Sequence, residues 1–191
     1  MTETAVPIRS SANPEALGTC GLPRTGIEAR VVDPHDQELP PDAVGELVLR
    51  ASRPWELSPG YYRNPEATAA AWRNGWFHTG DAFRRDAAGS FFFVDRMKDA
   101  IRRRGENISS CEVEAEALAH PAVLEAAAIA VPSETAEDEV LLVLSVNPGM
   151  ILEPRELLRF LAPRMAAFML PRYVRFVTEM PKTPTAKIEK H

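Results

Sequence analysis

Residues 93–108 read Phe-Val-Asp-Arg-Met-Lys-Asp-Ala-Ile-Arg-Arg-Arg-Gly-Glu-Asn-Ile, and the organisation of the chain turns on them. A short apolar strand, residues 90–94, runs into Asp95 and Arg96. The charged pair Lys98 and Asp99 follows, then one apolar residue, Ile101, three arginines and a Gly-Glu-Asn turn. Residues 96–110 hold 5 Lys and Arg against 2 Asp and Glu. The flanks are acidic, with 9 against 13 over residues 1–95 and 8 against 12 over residues 111–191. A local positive run on a negative chain is a reason to look for an anionic ligand. On charge alone, a solvated loop between two domains is the simpler reading.

The 191 residues allow one domain or two small ones, and 45% hydrophobic residues suffice for a core. A net charge of −5 and a pI near 5.5 argue against a nucleic-acid-binding protein as a whole. Cys20 and Cys111 lie far apart, at neither metal nor redox spacing, as reduced thiols of a cytoplasmic protein would. No apolar run approaches 18 residues and no signal-peptide pattern occurs, so no membrane span is expected. The 17 prolines predict short elements and ordered turns.

Outward from the central stretch, the first half reads as strands and the second as a compact α/β unit. The N-terminal Met-Thr-Glu-Thr reads as a frayed polar end, and residues 5–25 read as loop. Residues 27–32 and 45–50 read as strands separated by a Pro-containing turn. Asn64 and Pro65 are a cap and first position for a helix running to Trp72 and Arg73, stopped by Asn74-Gly75. Residues 82–94 read as a hairpin around Asp86–Gly89. His78, alone beside aromatics, reads as a packed residue rather than a metal ligand. Ser109 with Glu112 forms a capping box for a helix that turns Val113, Ala117 and Leu118 toward a core. Residues 123–131 and 139–146 read as buried strands, Pro154 opens a helix with Leu157, Leu158 and Leu161 on one face, and residues 173–177 alternate as a strand. The fold class is therefore α+β. A small antiparallel sheet or barrel over residues 1–95 is followed by a compact α/β domain over residues 96–191.

Four stretches together resemble the adenylate-forming, AMP-binding superfamily of acyl-CoA synthetases, luciferases and peptide-synthetase adenylation domains. They are residues 1–4; residues 61–68 continuing through Gly75-Trp-Phe-His-Thr-Gly-Asp81; residues 95–99 continuing through Gly105-Glu-Asn-Ile108; and Pro181-Lys-Thr-Pro-Thr-Ala-Lys187. They stand in the family's order and span the chain. The wording is closest to the carnitine/crotonobetaine-CoA ligase group. Family members carry a longer upstream region with a Gly-rich phosphate loop and most of the acyl pocket. Neither that loop nor a G-x-x-x-x-G-K-[ST] pattern is present here. The resemblance thus implies the remnant of a large domain plus its small mobile C-terminal cap, as a truncated gene model or an expressed fragment, inactive alone.

The resemblance implies a two-step reaction. A small-molecule carboxylic acid attacks ATP to give acyl-AMP and pyrophosphate, and the thiol of coenzyme A then displaces AMP. Thr2 would donate to the α-phosphate and Glu3 would hold Mg²⁺. Asp81, an acceptor-only carboxylate, would take the ribose hydroxyls, with Arg96 donating beside it. Lys98 would be the hinge about which the cap pivots, and Lys187 would bridge carboxylate and phosphate in the first step. Ala186 stands where the family usually has glycine. Gly105 would let the pantetheine arm pass, and Arg102, Arg103 and Arg104 would meet CoA phosphates. Two other readings stay open: a non-enzymatic nucleotide- or CoA-binding module, and an adenylation domain loading a carrier protein. The acyl substrate and a homo-oligomeric state are not legible.

Overall fold

A computed structural model of the protein describes residues 2–12, 14, 16–133 and 137–190, with Thr2 by its backbone alone. Two compact units divide after Met97: Met1–Met97 and Lys98–His191. Among the described residues no helix is long and apolar enough to cross a membrane.

The first unit opens with a 3-10 turn, Thr2–Thr4, in place of the expected frayed end. Thr4 is fully buried and the Ser58 N–H donates to the Glu3 carbonyl at 2.8 Å. Its strands are β1 (Ile8–Arg9), β2 (Leu22–Pro23), β3 (Ile27–Val32), β4 (Val44–Ala51), β5 (Trp72–Arg73), β6 (Trp76–Arg85) and β7 (Phe91–Arg96), with helix α1 (Pro65–Ala71) before β5. The antiparallel sheet runs β3-β4-β6-β5, and β7 also pairs with β6. β1 and β2 form a two-stranded ribbon where a loop was expected. Such short strands carry too little alternation to be seen in sequence. Ile27, Val31, Leu47, Leu49, Phe77, Phe83 and Phe91 form the core. A side chain of this kind contributes about 1.5–3 kcal/mol when fully buried.

The helix stops earlier than expected. Asn64 caps it, its side chain accepting from the Ala67 N–H at 3.0 Å, but α1 buries none of its residues. With no buried face to extend it, Trp72 and Arg73 leave the helix and pair with Phe77 and Trp76 instead. Asn74 and Gly75, both at positive φ, make the two-residue turn. Trp72 then packs at a tilt against Phe77 with ring centroids 5.3 Å apart.

The second unit contains the hairpin β8 (Ile101–Arg103) and β9 (Glu106–Ile108), helix α2 (Ser110–Leu118), strands β10 (Val123–Pro132) and β11 (Asp138–Val146), helix α3 (Pro154–Leu161) and strand β12 (Tyr173–Phe176). β10 and β11 are antiparallel, and β12 joins β11 in parallel through the α3 crossover. The core gathers Ile101, Ile108, Val113, Ala117, Leu142, Leu144, Leu157 and Leu161. Ser109 caps α2, accepting from the Glu112 N–H at 3.2 Å. Leu118, expected in the core, is 48% exposed; the apolar face of α2 is carried by Val113 and Ala117.

The arginine run is a folded hairpin rather than a solvated loop. Arg104 and Gly105 turn it at φ 54° and 82°. Strand alternation sends Arg102 out and Arg103 in. Arg103 is buried. Its Nε lies 2.6 Å from Glu139, and its Nη1 donates to the Phe168 and Leu170 carbonyls at 2.8 and 2.9 Å. Burial alone would raise the Glu139 pKa, but the hydrogen bond from Arg172 and the charges of Arg103, Arg172 and Arg104 outweigh it and hold the carboxyl below its usual range.

Removing Arg103 leaves Glu139 with Arg172 alone and takes the donor from the Phe168 and Leu170 carbonyls. Arg103→Ala is therefore expected to lower the urea midpoint of the second unit by about 1 M or more, whereas Arg102→Ala, on the solvent side, leaves it within about 0.3 M. Urea unfolding followed by circular dichroism checks the contrast.

Candidate functional site

In the first unit the candidate residues converge on an irregularity of β6. Between the pairs Val48–His78 and Glu46–Ala82, β4 contributes one residue and β6 contributes three: Thr79, Gly80 and Asp81. The surplus makes a bulge, a device that re-aims side chains near functional sites. Gly80 adopts φ 69°. A Cβ there would meet nothing within 4 Å, so glycine is required for its backbone conformation and not for space.

The displaced backbone groups find partners around the bulge. Glu46 accepts from the Gly80 N–H at 2.9 Å and lies 2.9 Å from His78 Nδ1. The Thr79 hydroxyl donates to the Leu47 carbonyl at 2.7 Å and accepts from the Asp81 N–H at 3.2 Å. The Met97 N–H donates to the Gly80 carbonyl at 2.8 Å. His78 is a buried packed residue, as its lack of ligand-spaced partners implies.

Asp81 and Arg96 are direct cross-strand partners on β6 and β7. Asp81 is half-buried and Arg96 is exposed. Desolvation raises the Asp81 pKa; Arg96 opposes that rise, while the charges of Glu3 and Glu46 add to it. The Tyr61 hydroxyl donates to Glu3 at 3.3 Å. Burial first, and then the Glu3 charge and this hydrogen bond, raise the Tyr61 pKa. The Thr2 side chain lies outside the described residues. No cluster of three or more His, Cys, Asp or Glu suited to a metal occurs among the described residues. A single carboxylate such as Glu3 fits Mg²⁺ only in the manner of a phosphate-bound ion, with phosphate oxygens and water completing the shell.

In the second unit, Lys98 is exposed at its first position. At the tip of the β8–β9 hairpin, Glu137 accepts from the Gly105 N–H at 2.8 Å and from Arg102 Nε at 3.0 Å. The Gly105 hydrogen bond first, then Arg102, lowers the Glu137 pKa. Arg103, expected at the CoA phosphates, instead faces the interior, where its Nη1 donates to two carbonyls and its Nε lies beside Glu139.

Lys187 is exposed on a tight loop. The Thr183 N–H donates to the Lys187 carbonyl at 2.8 Å and the Ala186 N–H to the Thr183 carbonyl at 2.9 Å. The Lys187 N–H donates to Thr183 Oγ1 at 3.2 Å, and Lys182 bridges Ile188 across the loop base. Ala186 sits at φ 60°, a left-handed conformation that glycine adopts without strain. Sequence reasoning missed Glu46. Its signal was a lone acid inside the apolar run Gly45-Glu46-Leu47-Val48-Leu49.

Two family models match the chain: AMP-binding enzyme over residues 1–62, and AMP-binding enzyme C-terminal domain over residues 112–187. This chain belongs to the adenylate-forming, AMP-binding enzymes. A fatty acid–[acyl-carrier-protein] ligase, ScoC of Streptomyces coeruleorubidus, is 39% identical over 90% of this chain and 33% of its own length. A crotonobetaine/carnitine–CoA ligase of Escherichia coli is 32% identical over 98% of this chain and 37% of its own. The crystal structure of ATP-bound MatB from Rhodopseudomonas palustris superposes with a TM-score of 0.86 at 30% identity, covering 100% of this chain and 38% of that one. The chain thus spans about a third of the length of the curated relatives it matches. Within the family, the grouping is with acyl-CoA and related acid ligases.

Two substitutions probe the geometry. Because the Asp81 pKa is raised on folding, its charge costs stability once the folded carboxyl ionises, and this cost is absent below the unfolded pKa. Asp81→Asn is therefore expected to raise the thermal midpoint of the first unit at pH 7, an advantage that fades as the pH falls toward 3.8. Ala186→Gly relieves left-handed strain of about 1 kcal/mol, which its greater unfolded-state entropy offsets in part. It is expected to leave global stability within about 0.5 kcal/mol, read by urea unfolding, and to keep the Thr183–Lys187 hydrogen bonds, read by amide exchange.

Proposed function

We propose that this chain carries the ribose grip, the pivot and the adenylation lysine of an AMP-forming acid–thiol ligase. The observation that carries the reading is the β6–β7 register, which pairs Asp81, an acceptor-only carboxylate, directly with Arg96 at the edge of the Thr79–Asp81 bulge. A vicinal diol offers two donors to such a carboxylate and acceptors to a neighbouring guanidinium.

In the first half-reaction an oxygen of the substrate carboxylate attacks the α-phosphorus of ATP. The bond to the bridging oxygen of the β-phosphate breaks, and pyrophosphate leaves with the electron pair. Negative charge accumulates on both reacting groups, and the Lys187 ammonium neutralises it from its exposed loop. Mg²⁺, held by Glu3, would shield the phosphates. In the second half-reaction the CoA thiol, its proton released to solvent, attacks the acyl carbon, the bond from that carbon to the phosphate oxygen breaks, and AMP leaves with the electron pair. Rotation of the second unit about Lys98 withdraws Lys187 and brings the hairpin around Gly105 to the thiol's arm. For CoA phosphates to reach Arg102, the surface contact of Glu137 has to give way, leaving Arg102 and Arg104 as the available guanidiniums.

A second reading differs in the thiol alone. A fatty acid–[acyl-carrier-protein] ligase at 39% identity supports a carrier-bound pantetheine as the alternative acceptor, beside relatives whose names give CoA.

The test joins these residues to their upstream coding sequence and measures acid-dependent AMP release over a panel of carboxylic acids, with CoA or a holo carrier protein. Lys187→Ala is expected to slow acyl-AMP formation by about 100-fold or more, with little effect on thioester formation from supplied acyl-AMP. Undiminished acyl-AMP formation in that variant refutes the role of Lys187. The 191 residues alone are expected to support no ATP–pyrophosphate exchange.

A further inference from the structure

The proposed role of Lys187 leaves a second lysine of the tail without a task. Lys190 is three residues further on, yet its environment is the reverse. Its side chain is 14% exposed, and its Nζ lies 2.7 Å from Glu114, 2.7 Å from the Ser110 hydroxyl and 3.9 Å from Asp99. Glu114 and Asp99 are themselves 16% and 10% exposed. The same Glu114 oxygen accepts the Ala128 N–H at 2.8 Å, so the cluster is fixed to β10 as well as to the first turns of α2. A cavity of about 190 Å³ beside it is lined by Lys98, Asp99, Ala128, Ile129, Ala130 and Lys190.

The arrangement links two distant parts of the sequence. Asp99 follows Lys98, the residue read as the pivot, and Lys190 follows the loop that presents Lys187. Three residues of extended chain reach at most about 10 Å, so the Lys190 anchor sits close behind the loop. The other end of the loop is tied by Lys182 to Glu125 at 2.7 Å, on the surface. Surface pairs hold geometry weakly, whereas a desolvated lysine between two carboxylates and a hydroxyl holds it firmly.

We propose that Lys190 is a positioning residue: it clamps the Lys187 loop to the segment just past Lys98 and to α2, so that pivot and lysine move as one body. The proposal rests on the reading of Lys187 as the adenylation lysine. Lys190 touches no substrate. Its effect is to keep the Lys187 ammonium at one distance from the pivot, which matters in the first half-reaction and not in the second.

The experiment has two arms. In the 191-residue chain, Lys190→Met is compared with Lys190→Arg and Lys182→Ala by amide hydrogen exchange. Lys190→Met is expected to speed exchange at Thr183, Ala186 and Lys187 by about 10-fold, with α2 protection retained, while Lys190→Arg keeps the wild-type pattern and Lys182→Ala changes it less. In the enzyme restored with its upstream sequence, Lys190→Met is expected to slow acyl-AMP formation about 10-fold or more and thioester formation from supplied acyl-AMP less than 3-fold, with Lys190→Arg recovering most of the loss. Unchanged exchange at the loop overturns the clamp, whatever Lys187 does. Faster exchange with an equal loss in both half-reactions overturns the positioning role and leaves a purely structural one. If Lys187→Ala leaves acyl-AMP formation intact, the reading of that lysine falls first, and the positioning role falls with it.

Discussion

A backbone amide that leaves a sheet ladder has to find a partner elsewhere, and in the first unit one carboxylate meets that demand. Glu46 takes the Gly80 N–H and braces His78. It can do so because β4 is held on one side by β3 and anchored by buried Leu47, Val48 and Leu49. The grip proposed for Asp81 and Arg96 is therefore only as well defined as the core beneath it. The same carboxylate adds to the unfavourable field at Asp81. Perturbed carboxyls of this kind occur at binding sites more often than elsewhere, which agrees with the grip proposed for Asp81.

The second unit solves a different problem, that of placing many charges on a small α/β body. The run Arg102-Arg103-Arg104 is chemically uniform, yet its members have different fates. Pleating buries Arg103 against Glu139, and the turn puts Arg104 in a left-handed conformation at the tip. Arg102 rests on Glu137 at the surface. Lys187 and Lys190 divide in the same way, one exposed on its loop and the other enclosed by carboxylates. Charge in this unit is partitioned between holding the body together and facing solvent, and residue type alone does not say which.

Much of the fold was legible because it follows local rules. β3, β10, β11 and β12 are seen from apolar runs and alternation, and the starts of α1, α2 and α3 from Asn64, Ser109 and Pro154. The errors have physical causes. Trp72 and Arg73 favour pairing with Trp76 and Phe77, a tertiary preference that helix propensity does not register. The burial of Arg103 depends on Glu139, 36 positions away, and on two carbonyls near residue 169. No local pattern encodes that. The site motifs could be quoted from the sequence, but the bulge beside the Asp81–Arg96 pair could not. It exists only because β4 offers one residue against three.

The parallel pairing of β12 with β11 has a consequence for biosynthesis. The β10–β11 hairpin closes locally and can form as soon as it clears the ribosome. β12 pairs only after the α3 crossover has been made, and the segment bearing Lys187 and Lys190 is translated after that. Ser110, Asp99 and Glu114 therefore meet the Lys190 ammonium only after β12 has been made. A ribosome that stalls between codons 176 and 190 therefore holds a second unit whose three-stranded sheet is already encoded and whose Lys190 fastening is still to come.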